Sequence, residues 1–316
     1  MFSLKKYQVL SIITSLIISL LLTEVILRVI NFPYQNCSSV QNLSETRIGK
    51  FDPLLGWDYI PYKSTTGEYG VTYTFNSEGY RTNDINYKTD LSKPIILIVG
   101  DSILFGHGVN FEDTFGYKLQ KKLKDKYEII NFAVQGYGTD QAYLKLTRVL
   151  PIYRPKIIVT DFMDDHFLRN VNIDRRDYNR CFRVIGTKPV FSLEGNKLKL
   201  VHQAEPYSVY DNPRILLLLH QFLSKESQDI KMQRGLKLTK RLLEEMKNYA
   251  QNNQADFYQI NVDSSNIEGN NQTVLGVSIN YKDTKYIINS VDTHPNPLGT
   301  SYMVDQFLEK FPHLYD

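Results

Sequence analysis

The sequence predicts a three-layer α/β/α domain built on a mostly parallel β-sheet. From residue 94 onward, short apolar runs of strand length alternate with longer stretches whose apolar residues recur at helical spacing. Such alternation is typical of βαβ units, in which successive strands lie parallel and helices cover both faces of the sheet. A chain of 316 residues that is 42% hydrophobic suits one large domain with an additional segment.

The predicted strands and helices follow one another in a regular order. The expected strands, each a short and largely apolar run, are residues 94–99, 127–134, 156–163 and 255–262. The expected helices, each with one apolar face, are residues 114–124, 139–150, 232–249 and a final helix after Gly299. Pro151 is expected to end the second of these helices.

One further segment precedes this alternating pattern, and another interrupts it. Residues 51–90 contain an alternating run and an Asn-Ser-Glu-Gly turn that ends at Gly79, and they predict a small N-terminal hairpin extension. Residues 170–228 interrupt the βαβ pattern, and they predict an inserted hairpin followed by a helix behind Pro213. We therefore expect residues 51–316 to form one domain, with the insertion near the substrate groove.

The N-terminal residues 1–30 predict a single membrane-spanning helix. Lys5 and Lys6 precede an apolar stretch that, extended through Ile30, is long enough for a bilayer core of about 30 Å. Glu24 and Arg28, four residues apart, can pair or lie at the far interface. The lysines favour a cytoplasmic N-terminus and an extracytoplasmic body, with residues 31–50 as a linker. A cleaved signal peptide is the alternative, but no Ala-x-Ala-like site follows the apolar run.

Charge and cysteine content exclude some classes and leave others open. The net charge of +3, with acids and bases nearly balanced, gives no indication of nucleic-acid binding. Neither a phosphate loop nor a dinucleotide fingerprint is present, so no cofactor is expected, and no feature indicates a protein partner. Cys37 and Cys181 could form a disulfide outside the cytoplasm or remain free thiols, and no metal site follows from them.

The candidate chemistry begins at Gly100-Asp101-Ser102, directly behind the first predicted strand. This position puts a serine hydroxyl at the carboxyl end of a central parallel strand, where open α/β sheets bind their ligands. An acid and a histidine, Asp292 and His294, lie near the other end of the chain. A histidine can activate a serine hydroxyl as a base, and a carboxylate can orient the histidine.

Four ordered blocks, namely residues 100–106, 131–138, 162–165 and 292–299, resemble those of the SGNH (GDSL-type) hydrolases. The resemblance is closer still to the membrane-anchored, extracytoplasmic bacterial branch, and it runs from about residue 51 to the C-terminus. It implies a flavodoxin-like SGNH hydrolase fold in which Ser102 is the nucleophile. It also implies that the backbone N–H of Gly136, with that of Ser102, contributes to an oxyanion hole.

The resemblance assigns the rest of the relay to the last block. His294 would take the proton from Ser102 and return it to the leaving group, while Asp292 would orient the imidazole and stabilise its charged form. The commonest family spacing puts the acid three residues before the histidine, where this chain has Val291. The spacing of two found here is familiar in the anchored branch.

The third block departs from the family pattern Gly-x-Asn-Asp, whose asparagine donates to the oxyanion. Asp164 occupies the place of that asparagine. An ionised carboxylate accepts hydrogen bonds only and would repel the developing charge. Three alternatives follow: burial beside Asp165 could keep Asp164 protonated, a local shift of register could bring in another group, or Asp164, Asp165 and His166 could bind a metal.

The resemblance therefore implies a serine esterase or an O-acyltransferase acting on ester-linked, in particular acetyl, groups, with cell-surface carbohydrate as the expected substrate or acceptor. Water and a sugar hydroxyl compete for the same acyl-enzyme, so the motifs do not choose between hydrolysis and transfer. The rival hypothesis is a weakly active or inactive module of the same fold that binds glycan or a partner protein. Asp164 favours the rival, whereas the intact Ser102, Asp292 and His294 favour catalysis.

Overall fold

The computed structural model describes residues 6–30, 32, 48–178, 185–207, 213–223, 228–262, 274–277 and 283–315. Cys37 and Cys181 lie outside these residues, and so does any disulfide between them. Helix α1 (Lys6–Val29) is long enough and, with a mean hydropathy of 2.4, apolar enough to cross a membrane. A membrane anchor and a signal sequence both have these properties. Glu24 and Arg28 form the expected pair, with 2.6 Å between Oε1 and Nε.

The N-terminal extension is larger than the single predicted hairpin. Its strands are β1 (Gly49–Asp52), β2 (Gly56–Tyr59), β3 (Lys63–Thr66), β4 (Thr72–Phe75) and β5 (Arg81–Thr82). The first two form an antiparallel hairpin, and the other three form a separate antiparallel sheet. The expected turn connects β4 to β5, with the N–H of Gly79 donating to the carbonyl of Asn76 at 3.1 Å. The polar run of β3 lacks a clear alternation, which is why the sequence did not indicate it.

A five-stranded parallel sheet lies at the centre of the domain. The remaining strands in chain order are β6 (Ile95–Ile98), β7 (Glu128–Asn131), β8 (Ile157–Phe162), β9 (Val190–Glu194), β10 (Lys197–His202), β11 (Asp256–Val262) and β12 (Val274–Val277). The central order is β12-β11-β8-β6-β7, and every pair is parallel. The chain leaves β6 on one side and returns on its other side, so the strand order reverses beside β6. Ligands bind at such switch points in open α/β sheets.

Helices cover both faces of this sheet. In chain order they are α2 (Ser102–Phe105), α3 (Phe115–Lys122), α4 (Thr139–Tyr153), α5 (Asp165–Val171), α6 (Arg175–Tyr178), α7 (Arg214–Leu223), α8 (Gln228–Asn252) and α9 (Pro297–Lys310). Ile96 packs in one apolar cluster with Phe115 of α3 and Phe307 of α9. Its neighbour Leu97 packs in a second cluster with Met246 of α8. Because successive strand residues face opposite layers, the predicted three-layer α/β/α class is confirmed.

The prediction that Pro151 ends its helix was wrong. Helix α4 continues through Pro151 to Tyr153. A proline cannot donate to the carbonyl four residues earlier, which here belongs to Thr147. The hydroxyl of Tyr249 donates to that carbonyl instead, at 3.5 Å. The helix stops at Arg154, which adopts a left-handed conformation with φ of 47°.

The predicted insertion forms the expected hairpin, in which β9 and β10 pair antiparallel around Gly195. Its base is tied to α4, because the ammonium of Lys188 pairs with the carboxylate of Asp140 where neither side chain is exposed. The N–H of Lys188 also donates to the carbonyl of Ile173 at 3.0 Å. A side chain on Gly56 would reach within 2.6 Å of the Thr187 carbonyl, so the insertion also packs closely on β2. The hairpin is therefore an integral part of the domain.

Candidate active site

Ser102 is the first residue of α2 and follows the central strand β6 closely. The parallel pairing continues past the strand: the N–H of Val99 donates to Val159, and the N–H of Val134 donates to Gly100, both at 3.0 Å. The Asp101 carboxylate then caps α2 by accepting from the N–H of Ile103 at 2.8 Å. Ser102 therefore lies at the carboxyl edge of the sheet, as predicted for a serine that follows this strand.

The loop before α9 brings His294 and Asp292 to Ser102. The Nε2 atom of His294 lies 2.7 Å from Ser102 Oγ, and its Nδ1 atom lies 2.6 Å from Asp292 Oδ1. Asn296 holds this loop in shape, because its side chain accepts from the N–H groups of Leu298 and Gly299 at 3.0 and 2.9 Å. A continuous chain of hydrogen bonds thus links three residues that are up to 192 positions apart in sequence.

Asp292 is suited to remain ionised. Burial raises its pKa, but hydrogen bonds from His107 and His294 outweigh burial and hold the pKa well below the ordinary value of 3.8. The same carboxylate oxygen that meets the His294 ring also accepts from the His294 backbone N–H at 3.1 Å. The carboxylate is therefore charged and fixed in orientation before any substrate binds.

The two residues predicted to contribute backbone N–H groups to an oxyanion hole, Ser102 and Gly136, belong to neighbouring segments. Their segments run side by side, because Gly100 and Val134 are paired and each N–H lies two residues further along. Gly136 has φ of 77°, a left-handed conformation that favours glycine. Within the described part of the chain, neither N–H donates to a protein acceptor. Both remain able to bind an oxyanion.

Asp164 lies two residues beyond β8, directly before the first residue of α5. Its carbonyl accepts from the N–H of Phe167 at 3.1 Å, so its backbone belongs to the start of that helix. Its neighbour Asp165 is half exposed and lies 3.5 Å from Nη2 of Arg169. The guanidinium of Arg169 is therefore close enough to offset part of the charge of Asp165.

The suggested metal site at Asp164, Asp165 and His166 is not formed. His166 points inward, with Nε2 3.1 Å from Asp101 Oδ2, whereas Asp165 points toward solvent. The start of a helix turns successive side chains in different directions, which separates the three groups. In the described ranges, the group with potential ligand atoms within 4.8 Å of one another is His107, Asp292 and His294.

A buried polar cluster lies next to Ser102 and consists of Asp101, Asp161, His166 and Arg169. Arg169 Nη1 lies 2.8 Å from Asp101 Oδ2, and the two oxygens of Asp161 accept from the N–H groups of Asp101 and Leu104 at 3.0 and 3.3 Å. Burial and the negative charge of Asp101 raise the pKa of Asp161 well above its ordinary value. For Asp101 burial acts in the same direction, but the His166 hydrogen bond and the Arg169 charge outweigh it and lower the pKa. The pKa values of these two neighbouring carboxyls are therefore shifted in opposite directions.

The sequence did not indicate two residues that contact the candidate acid. Asp292 Oδ2 accepts from the hydroxyl of Tyr69 at 2.8 Å and lies 3.2 Å from His107 Nε2. His107 stands between two glycines in the segment that carries Ser102, which could have drawn attention to it. Tyr69 carries no such signal, because only folding brings the β3–β4 loop across to Asp292.

No model of a known protein family matches the sequence, and no curated protein matches it. Solved structures similar to it include the psychrotrophic esterase EstA from Pseudoalteromonas sp., with 13% identity and a TM-score of 0.40 over 70% of this chain and 98% of that one. A family 3 carbohydrate esterase from Clostridium thermocellum has 12% identity and a TM-score of 0.35 over 70% and 97%. A member of the lipolytic protein G-D-S-L family from Veillonella parvula has 11% identity and a TM-score of 0.32 over 69% and 98%.

Proposed function

We propose that the protein is a serine esterase or O-acyltransferase in which Ser102 attacks the carbonyl of an ester. The observation that carries this proposal is the hydrogen-bond chain from Ser102 Oγ through His294 to Asp292, with distances of 2.7 and 2.6 Å. Serine is a weak nucleophile unless an adjacent base accepts its proton. His294 is that base, and the carboxylate of Asp292 can stabilise the imidazolium that forms.

The reaction divides into two acyl transfers. Ser102 Oγ bonds to the ester carbonyl carbon while His294 Nε2 takes the hydroxyl proton, and the negative charge moves to the carbonyl oxygen. The N–H groups of Ser102 and Gly136 would bind this oxygen. The intermediate then collapses, the ester C–O bond breaks, and the alcohol leaves with the proton from His294. Water or a second hydroxyl next attacks the acyl-enzyme by the same steps in reverse.

Attack by water on the acyl-enzyme gives hydrolysis, whereas attack by a second hydroxyl gives acyl transfer. The proposal includes both reactions. We propose acetyl esters of cell-surface carbohydrate as the substrate class, on the basis of the sequence resemblance and the apolar N-terminal helix. Residues 1–30 would anchor the protein in the membrane with its N-terminus in the cytoplasm. Residues 31–50 would form a linker between this anchor and the extracytoplasmic body, which residues 51–316 would form. What supports this topology is the length and hydropathy of α1 and the position of Lys6 at its start.

A second candidate function is a binding module of the same fold with little or no activity. The observation that favours it is Asp164, which stands where the resemblance expects an asparagine that donates to the oxyanion. A site with two backbone donors but no side-chain donor would bind an ester or a glycan and turn it over slowly. The complete relay at Ser102 argues against this alternative.

The experiment that tests the proposal measures hydrolysis of p-nitrophenyl acetate by the full-length protein in detergent, beside Ser102→Ala and His294→Ala. Labelling by a fluorophosphonate probe serves as the second readout, since it requires only an activated serine. We expect activity and labelling in the parent and neither in the two variants. Ser92→Ala is the control, because Ser92 is an exposed serine whose hydroxyl bonds only to Asp90 within the described residues. A parent that is no more reactive than Ser102→Ala in either assay would support the binding module.

A further inference from the structure

The candidate acid Asp292 is held from two sides. Its Oδ1 atom accepts from the ring and the backbone of His294, at 2.6 and 3.1 Å. Its Oδ2 atom accepts from the hydroxyl of Tyr69 at 2.8 Å and lies 3.2 Å from Nε2 of His107. Every oxygen of the carboxylate therefore has more than one partner, and the two partners on Oδ2 come from parts of the chain that the relay does not use.

The hydrogen bonds around His107 define which of its nitrogens carries the proton. The amide Nε2 of Gln135 lies 2.5 Å from His107 Nδ1, and an amide nitrogen can only donate. His107 Nδ1 is therefore the acceptor, and Nε2 carries the hydrogen that is donated to Asp292. Gln135 is itself oriented by Tyr59, whose hydroxyl donates to Gln135 Oε1 at 3.4 Å. His107 is only 5% exposed, and its Nε2 atom is directed at Asp292.

Tyr69 reaches the site from the loop between β3 and β4. Its backbone has φ of 57°, a left-handed conformation that is unfavourable for a side chain of this size. The ring packs edge-on against His107, with 6.3 Å between centroids. Gly108 makes room for it, because a side chain there would come within 3.2 Å of the Tyr69 ring. The extension thus projects one aromatic side chain over the acid, although the rest of it lies outside the relay.

We propose that Tyr69 and His107 are positioning residues for the reaction, and that they hold the Asp292 carboxylate so that Oδ1 stays directed at His294. This inference rests on the proposed function, since it assigns a role in the same relay. Two donors on Oδ2 prevent rotation of the carboxylate during the step in which His294 becomes charged. They also draw negative charge away from Oδ1, which tunes how strongly His294 holds its proton.

The withdrawal of negative charge from Oδ1 can be measured as a change in the pH profile, which a purely structural role of Tyr69 and His107 would not alter. Among the described residues, His107, Tyr69 and His294 contact Asp292, whereas Asp292, Gln135 and the rings of Tyr69 and His294 contact His107. Loss of a donor on Oδ2 leaves more negative charge on Oδ1, so the essential base would keep its proton up to a higher pH. The acidic limb of the kcat/KM profile, which reports the free enzyme, should then move to higher pH.

The test compares Tyr69→Phe, His107→Leu and His107→Gln in the full-length protein with p-nitrophenyl acetate across pH. Hydrogen bonds to charged groups lead us to expect a loss in kcat of about tenfold to a hundredfold for Tyr69→Phe and His107→Leu, with KM little changed. The acidic limb should move up by a few tenths of a pH unit. His107→Gln should recover most of the loss, since its amide can place an N–H near Asp292. Tyr62→Phe is the matched control, because Tyr62 is another left-handed tyrosine of the extension but is 62% exposed.

Parent kcat and an unmoved acidic limb in both Tyr69→Phe and His107→Leu would overturn the inference, and so would a loss of activity without a shift of the limb. If the parent neither hydrolyses the ester nor reacts with the fluorophosphonate, the proposed function fails on its own. The positioning can then still be tested by NMR, through the low-field proton on His294 Nδ1. Its resonance should shift in Tyr69→Phe and remain in place in Tyr62→Phe, and no shift in Tyr69→Phe would refute the inference.

Discussion

The ammonium of Lys188 and the carboxylate of Asp140 form an ion pair in which neither side chain is exposed to solvent. Lys188 belongs to the insertion, whereas Asp140 lies in the first turn of α4, four residues after Gly136. Burial lowers the pKa of Lys188 and raises that of Asp140, and each group offsets part of this effect in the other. The pair therefore joins the insertion to the helix that follows a proposed oxyanion-hole residue.

Lys188→Met should strongly destabilise the domain. It leaves the Asp140 carboxylate buried without its counter-ion, which typically costs about 3–5 kcal/mol. The measurement is the free energy of unfolding in urea. Lys199→Met is the control, because the Lys199–Glu194 pair lies in the same insertion but is more than half exposed, and such pairs contribute about 0–1 kcal/mol. Equal losses in both variants would show that the buried pair contributes no more than the exposed one.

Gly100→Ala should remove activity by displacing Ser102. A side chain at this position would lie 2.3 Å from Asp161 Oδ1, and Asp161 holds the backbone N–H groups of Asp101 and Leu104 on either side of the serine. We expect a large fall in the rate of fluorophosphonate labelling. Gly195→Ala provides the comparison, since a side chain there meets nothing within 4 Å. Its φ of 62° should cost about 1 kcal/mol of stability without an effect on labelling. Normal labelling in Gly100→Ala would contradict this account.

Asp164→Asn should raise turnover. An amide can donate to the oxyanion where an ionised carboxylate cannot, and one such donor is worth about a hundredfold to a thousandfold in kcat. We expect at least a tenfold gain with p-nitrophenyl acetate. Asp165→Asn separates donation from charge alone, because it removes a neighbouring carboxylate that is half exposed and near Arg169. A fall in activity on Asp164→Asn would instead identify a protonated Asp164 as the donor.

Asp292→Asn should destabilise the protein at neutral pH, and it should do so less in acid. The pKa of Asp292 in the folded protein lies below its ordinary value of 3.8, so its charge stabilises the fold at higher pH. That contribution begins to fall below about pH 4, because the carboxyl of the unfolded chain then takes up a proton while the folded carboxyl stays charged, and it is lost fully only below the pKa of the folded protein. Urea unfolding of both proteins should show a difference of about 1–3 kcal/mol at pH 7 that narrows toward pH 3. A difference that stays constant over this range would mean that the carboxylate charge contributes nothing.

The sequence by itself determined the α/β class and indicated the chemistry that we propose. Apolar runs such as residues 94–99 indicated buried strands because parallel strands covered on both faces must be apolar throughout. The short motifs at Ser102 and His294 indicated a nucleophile and a base, because residue type restricts what a side chain can do. The meaning of such local patterns does not depend on which distant residues they contact in the folded protein, so they can be recognised from the sequence alone.

Only the tertiary structure decided which groups meet. Tyr69 lies 223 positions from Asp292 in the sequence, and nothing local to either residue indicates their contact. His166, by contrast, stood beside two carboxylates that suggested a metal, and the fold turned it toward Asp101 instead. Partners at long range are set by strand order and by the packing of the extension on the sheet. These are properties of the whole chain, which no short segment carries.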